Sequence, residues 1–178
     1  QAKSISYENR YTRLTYEYAN KEKHSKLSAA SDDEELVKGL TWMNFRQHFF
    51  SSMLLTDTAF KEVALSSIDL VKDEEVDTLY TKMYGAKMLL EPKSGNLSYD
   101  MNMYYGPTEY KIFKTYDRNL DEAMPLGWGI FGFLNKYLII PLFAFLSDFL
   151  PAGIAIIMLT ILIKLALSPV QYKQYLSQ

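Results

Sequence analysis

The longest apolar run of the chain, Ala152–Val170, carries a single charge, Lys164. At ~1.5 Å per residue a helix over this run is roughly 28 Å long, about the thickness of a bilayer's hydrocarbon core. On a helical wheel Thr160, Lys164, Ser168 and Gln171 fall within an arc of about 80°, with Gly153 on the same arc and aliphatic side chains over most of the rest. The pattern predicts a transmembrane helix with a thin polar stripe. The preceding run, Gly127–Phe149, is apolar but interrupted by Asn135, Lys136, Pro141 and Asp148. Trp128, Gly132, Asn135 and Lys136 cluster on one side of its first half, and Pro141 is expected to kink or split the helix. That suits a helix lying in the membrane interface better than a straight span. A spanning hairpin is the alternative, because the run is long enough to cross. Leu150-Pro151 separates the two runs tightly.

Before Leu126 the pattern changes to a period of two. Ser4–Tyr18 alternates at Ile5/Tyr7 and at Leu14/Tyr16/Tyr18, which predicts strands paired as a hairpin. Asn20–Lys38 runs basic and then acidic with no apolar period and reads as a solvated loop, with a functional charged patch as the alternative. In Leu40–Leu55 (LTWMNFRQHFFSSMLL) Trp42, Asn44, Arg46 and His48 face away from Met43, Phe45, Gln47 and Phe49. Trp42 and the phenylalanines are assigned to core, with an aromatic ligand cage as the functional alternative. Phe60–Leu70 and Val76–Leu90 are further strand-like runs. Leu97, Tyr99, Met101, Met103 and Tyr105 then occupy every second position between Gly95-Asn96 and Gly106-Pro107. This predicts a strand with a turn at each end and with Tyr99, Met101 and Met103 buried on one face. After it, TEYKIFKTYDRNLDEA predicts a short helix or two, with Pro107 in the first helical turn.

Charge sharpens this division. Of 19 Lys and Arg and 21 Asp and Glu, only Lys136, Asp148, Lys164 and Lys173 follow Leu126, so a soluble domain is joined to a membrane segment. The soluble part has the usual size of one domain. A formal net charge of −2 over 178 residues gives no sign of a nucleic-acid partner. The absence of cysteine removes disulfides and thiolate metal sites and is compatible with an oxidising compartment. His24 and His48 are far apart and have no carboxylate at ligand spacing, so no metal is expected. No nucleophile–base pair or glycine-rich phosphate loop appears, which argues against an enzyme and against a cofactor. Asn96-Leu97-Ser98 matches a glycosylation triplet too short to carry weight. Gln1 is no initiator methionine and Gln178 comes just after a helix leaves the membrane, so the chain reads as a fragment cut at both ends.

Lys164 is the one candidate for chemistry. A lysine at such a depth costs ~2.5–3.5 kcal/mol on insertion scales, and such residues usually face a protein interior or a water-filled cavity. The competing reading is snorkelling: Val170 is roughly 9 Å of helix away, within reach of a flexible stem. Thr160 and Ser168 either share a polar face with Lys164 or bond back to their own helix.

Read together and in order, four stretches resemble the YidC family of membrane protein insertases. LTWMNFRQHFFSSMLL is similar to the family's aromatic-rich strand region, and MNMYYGPTEY to its last strand with a Gly-Pro turn. LGWGIFGFLNKYLIIPLFAFL is similar to its interfacial helix, and GIAIIMLTILIKLALSPVQYKQYLSQ to the first core helix of its bundle. The resemblance implies part of an all-β periplasmic sandwich over 1–106, a helical connector over 107–125 and an interfacial amphipathic helix over 126–149. It further implies one transmembrane helix of a larger helical bundle over 152–170 and the start of a cytoplasmic region over 171–178.

The implied activity is not catalysis. Members lower the cost of moving short polar segments of nascent chains across the inner membrane through a wet, positively charged groove. Lys164 stands where the family usually has arginine, with Thr160 and Ser168 as its polar neighbours. Lysine keeps the charge but lacks the guanidinium fork. The implied partners are nascent membrane-protein chains and the lipid bilayer, with the Sec translocon a further candidate. Neither cofactor nor nucleic acid is implied. Two other classes stay open on the residues alone: a periplasmic binding or scaffold domain held by a membrane anchor, and part of an ion or proton pathway.

Overall fold

The structure is a computed structural model that describes residues 5–19, 21, 23–73, 79–90, 92, 97–127 and 129–176. Two compact units divide the chain, Gln1–Met124 and Pro125–Gln178.

Among the described residues the first unit is built on a six-stranded antiparallel sheet. Its strands are β1 (Arg13–Tyr18), β2 (Lys23–Lys26), β3 (Asp33–Arg46), β4 (Phe50–Asp69), β5 (Lys82–Met88) and β6 (Met101–Pro107). The all-β domain with a helical exit is as expected, its described strands joined in one sheet. The spatial order is β2-β1-β3-β4-β5, with β6 also on β4. The β3–β4 hairpin is the spine. Because β3 follows one edge of β4 from Ser51 to Ser67, β6 on Phe50–Thr56 and β5 on Val63–Asp69 share the other edge end to end. The register breaks between Leu40 and Trp42 of β3, where β4 bulges out. Gly39, at φ +68°, takes the left-handed conformation that lets β3 bend there, and Val37 and Leu40 reach the same core.

Each sheet face has its own core. Leu14, Tyr16, Leu40, Met43, Phe60 and Val63 are buried in one. Trp42, Met53, Leu55 and Tyr104 lie on the other face, under the connector, which forms α2 (Tyr110–Thr115) and a 3-10 turn (Leu120–Ala123). From these, Phe113, Leu120 and Ala123 close over Trp42. Side-chain bonds reinforce that docking. Arg118 donates to Asp57 Oδ1 at 2.7 Å and to the Thr56 carbonyl, where β4 bulges, and Asn119 Nδ2 donates to the buried Glu17 at 3.1 Å. Buried Asp121 pairs with Lys114 at 3.0 Å.

Several expectations are corrected. Ile5 and Tyr7 belong to a helix, α1 (Ile5–Tyr11), not to a strand. Tyr7 and Tyr11 pack at 4.8 Å, the i,i+4 spacing of a helix, and the Thr12 N–H continues it to the Glu8 carbonyl at 3.0 Å. The partners of β1 are instead β2 and β3. The charged stretch read as a loop contains β2 and the start of β3. Backbone pairing holds it there, with Lys23 and Lys26 on a short edge strand, where charge discourages further pairing. The acidic run is used locally: Asp33 accepts from the Ser28 N–H at 2.7 Å, Asp32 from the Asp69 N–H at 2.7 Å, and Glu35 from the Tyr16 hydroxyl.

The last strand forms but does not bury the expected face, and Tyr104 is its one buried residue. Met103 is 63% and Tyr105 69% exposed and Met101 is exposed as well. The connector covers the Tyr104 face, so the connector and not the apolar count of the strand decides which face is inside. The strand begins at Met101; Leu97–Asp100 precede it and Tyr99 stacks on Phe60 at 5.7 Å. Pro107 closes β6 and does not open a helix, since α2 starts at Tyr110 after an extended Glu109. The Gly95-Asn96 turn, Asn96 of the glycosylation triplet and residues 76–78 of the Val76–Leu90 run lie outside the described residues.

One carboxylate gives the domain a pH dependence. Burial works to raise the Asp69 carboxyl. The Val71 N–H, the Asn9 amide and Lys82 Nζ at 3.3 Å outweigh it and hold the group below its ordinary value. A depressed folded value stabilises above the unfolded carboxylate range of ~3.9 and is lost as pH falls through the folded one. Asp69→Asn should therefore flatten the loss of stability of the first unit between about pH 5 and pH 2. Unfolding midpoints measured across that range for both proteins provide the check, and parallel acid limbs would contradict it.

Candidate functional site

The second unit begins with a tight entry. Gly127 (φ +103°) and Gly129 (φ +58°) turn the chain, and a Cβ on Gly132 would stand 2.7 Å from the Gly127 carbonyl oxygen, too close for any side chain. Asn135 Nδ2 donates to the Leu126 carbonyl at 2.7 Å. Two of the residues that the sequence groups on one side, Gly132 and Asn135, thus fold the chain against the start of its own helix. Trp128, grouped with them, lies outside the described residues.

From Gly129 to Phe149 the chain is one helix, formed by α3 (Gly129–Leu134), a π-helical turn (Asn135–Ile139) and α4 (Ile140–Phe149). Pro141 does not split it. Proline can donate no hydrogen bond to the carbonyl one turn back, and the wide turn just before it, with the Ile140 N–H on the Asn135 carbonyl, absorbs that defect. Leu150, extended at φ −127° and ψ 146°, then ends α4, and Pro151 precedes α5 (Ala152–Leu176). The most apolar 18-residue stretches of the two helices have mean hydropathies of 1.7 and 2.2, and each helix is long and apolar enough to cross a membrane.

Thr160, Lys164 and Ser168 stand on consecutive turns of α5, all exposed. Lys164 is the sole charged residue between Asp148 and Lys173. Both hydroxyls are turned to the helix itself. Thr160 donates to the Ile156 carbonyl at 2.8 Å, the i−4 bond that serine and threonine readily make in helices. Ser168 donates to the Leu165 carbonyl at 2.8 Å. That acceptor has a particular reason: Pro169 sits inside α5 and removes the N–H that Leu165 would otherwise receive. Ser168 therefore repairs a defect made by its neighbour, and α5 continues unbroken to Leu176, beyond the Val170 limit expected from hydropathy. The stripe that remains is one ammonium flanked by two hydroxyl oxygens with lone pairs to spare.

The sequence places Arg46 on the face of Trp42 but gives it no role. It is buried at the end of β3, donates to the Ala123 and Tyr11 carbonyls at 3.3 and 3.2 Å, and so ties α1 and the end of the connector to the sheet. Burial, followed by the nearby Arg13 guanidinium, lowers its pKa. Its parity with Trp42 was the available signal, since both lie on the face the connector covers. Among the described residues no group of three His, Asp or Glu comes together as a metal site.

The family model described as the YidC periplasmic domain matches residues 1–141, continuing past the sheet and connector into α4. The chain belongs to the YidC family. YidC relatives match almost its whole length. It is 31% identical over 99% of its residues to a membrane protein insertase YidC of Parabacteroides distasonis, and 34% identical over 98% to one of Bacteroides fragilis. A third, from Porphyromonas gingivalis, is 32% identical over 99%. The chain spans 29% of the length of each of these YidC proteins.

Proposed function

We propose that this chain belongs to an inner-membrane protein insertase, where it joins the end of a periplasmic β domain to the first helices of the membrane unit. The observation that carries this is the similarity, above 30% identity across nearly the whole chain, to proteins named membrane protein insertase. In this reading the helix from Gly129 to Phe149 lies along the membrane interface, α5 crosses the bilayer toward the cytoplasm, and the clients are nascent membrane-protein segments.

The physical task is to reduce a desolvation cost. An unpaired carboxylate entering hydrocarbon is very unfavourable, and a cation held in a partly hydrated, low-dielectric groove offsets part of that cost. Lys164 supplies the cation, and Thr160 and Ser168 keep its face polar enough to hold water. The back-bonded hydroxyls favour one competing reading, an anchor helix whose lysine snorkels.

The two readings separate in cells depleted of their own insertase and supplied with the full-length protein containing this chain. The protein should restore insertion of dependent clients, and replacing the 25 residues of α5 by an unrelated apolar span should abolish it. Full insertion with the unrelated span would establish the anchor instead.

A further inference from the structure

The loop joining β3 to β4 carries aromatic side chains that the fold leaves in the open. His48 stacks on Phe49 at 4.0 Å and on Tyr11 at 4.5 Å, and Tyr7 closes on Tyr11 at 4.8 Å and on His48 at 5.4 Å. The loop itself is fixed, with the Gln47 N–H on the Phe50 carbonyl and the Thr108 N–H on the Phe49 carbonyl, both at 2.8 Å. Yet Phe49 is 66% and Phe50 59% exposed, which corrects the assignment of these two phenylalanines to core. Hairpin loops in water favour Gly, Asn, Asp and Ser, and two adjacent ordered phenylalanines at a tip are an apolar wedge.

Its position in the first unit says what the wedge meets. Arg46, three residues before Phe49, is bonded to the Ala123 carbonyl, and the first unit ends at Met124. The tip is therefore at the end of the sheet from which the chain leaves for its apolar helices. From Gly39 to Thr56 the hairpin carries no carboxylate; those on the segments packed beside the tip are Glu8, next to Tyr7, and Glu109, next to Thr108. Phenylalanine side chains bury at the boundary of headgroups and acyl chains while tyrosine stays at headgroup level, and this tip presents two phenylalanines backed by histidine and tyrosine.

We infer that the tip formed by Phe49 and Phe50, braced by His48, Tyr7 and Tyr11, inserts into the headgroup layer of the bilayer. The inference rests on the proposal that the apolar helices enter that bilayer. It makes the tip a second foothold of the β domain, independent of the covalent link.

The chain has no cysteine, so single labelling sites are clean. Phe49→Cys, Phe50→Cys, Leu36→Cys and Leu162→Cys are each labelled with a bimane fluorophore. The full chain is then reconstituted in phosphatidylcholine–phosphatidylglycerol vesicles containing nitroxide lipids. Leu36 is 60% exposed on the same strand, roughly 30 Å from the tip by the rise of a strand. Labels at Phe49 and Phe50 should shift to the blue and be quenched several-fold more than the label at Leu36 by headgroup-level nitroxides. The Leu162 label should respond to deep nitroxides. Quenching at Leu162 with water-like emission at both tip positions would overturn the inference alone. Blue-shifted but unquenched tip labels would overturn it too, showing a protein occupant. No quenching at Leu162 would remove both the inference and the proposal beneath it.

Discussion

Trp42→Ala should destabilise the first unit by roughly 3–5 kcal/mol, the usual cost of removing a buried tryptophan. Trp42 is fully buried where the sheet meets the connector, packed with Met53, Leu55, Tyr104, Phe113, Leu120 and Ala123. The residues above it come from a short helix and a 3-10 turn, elements too short to be stable alone, so their order depends on this contact. At a urea dependence of ~2 kcal/mol per molar the midpoint should fall by about 2 M. In hydrogen exchange the amides of 110–123 should lose protection before those of β3 and β4. Trp42→Phe should cost much less, because the indole N–H meets no acceptor among the described residues and its loss leaves nothing newly unpaired. Equal effects of Ala and Phe would contradict the packing account, as would unchanged protection of the connector.

The same residue shows what a strand pattern can and cannot reveal. The alternation in Leu40–Leu55 places Trp42, Asn44 and Arg46 on one face, and all three are buried there. A period of two fixes which residues share a face but not which face is covered. For β6 the apolar residues Met101, Met103 and Tyr105 suggested the wrong side, because burial is decided by the connector, a tertiary partner whose docking no local pattern encodes. Ile5 and Tyr7 failed differently. Over so few residues, tyrosines at i and i+4 satisfy both a strand and a helix, and the stack with His48, distant in sequence, favours the helix.

In the second unit, hydropathy was enough to place two helices and the break at Leu150-Pro151, and the helical wheel put Thr160, Lys164 and Ser168 on one side of α5. The internal repairs were less legible. The wide turn before Pro141 and the Ser168 hydroxyl on the Leu165 carbonyl are answers to missing N–H groups, and sequence shows the defect without showing which neighbour corrects it.

The largest functional effect is expected from replacing Lys164. If its ammonium lowers the barrier for a carboxylate by even ~1.4 kcal/mol, its loss slows that step about tenfold. Lys164→Met is close in length but neutral, and Lys164→Arg keeps the charge. A snorkelling lysine would behave in the opposite way, since an apolar side chain suits lipid better and leaves insertion unchanged. The central measurement is therefore the insertion, in insertase-depleted cells carrying the full-length protein, of one client with an acidic translocated segment and one without. The groove account predicts that Lys164→Arg retains both clients and that Lys164→Met loses the acidic one about tenfold while sparing the other. Equal insertion of the acidic client by the wild-type protein and by Lys164→Met would contradict it.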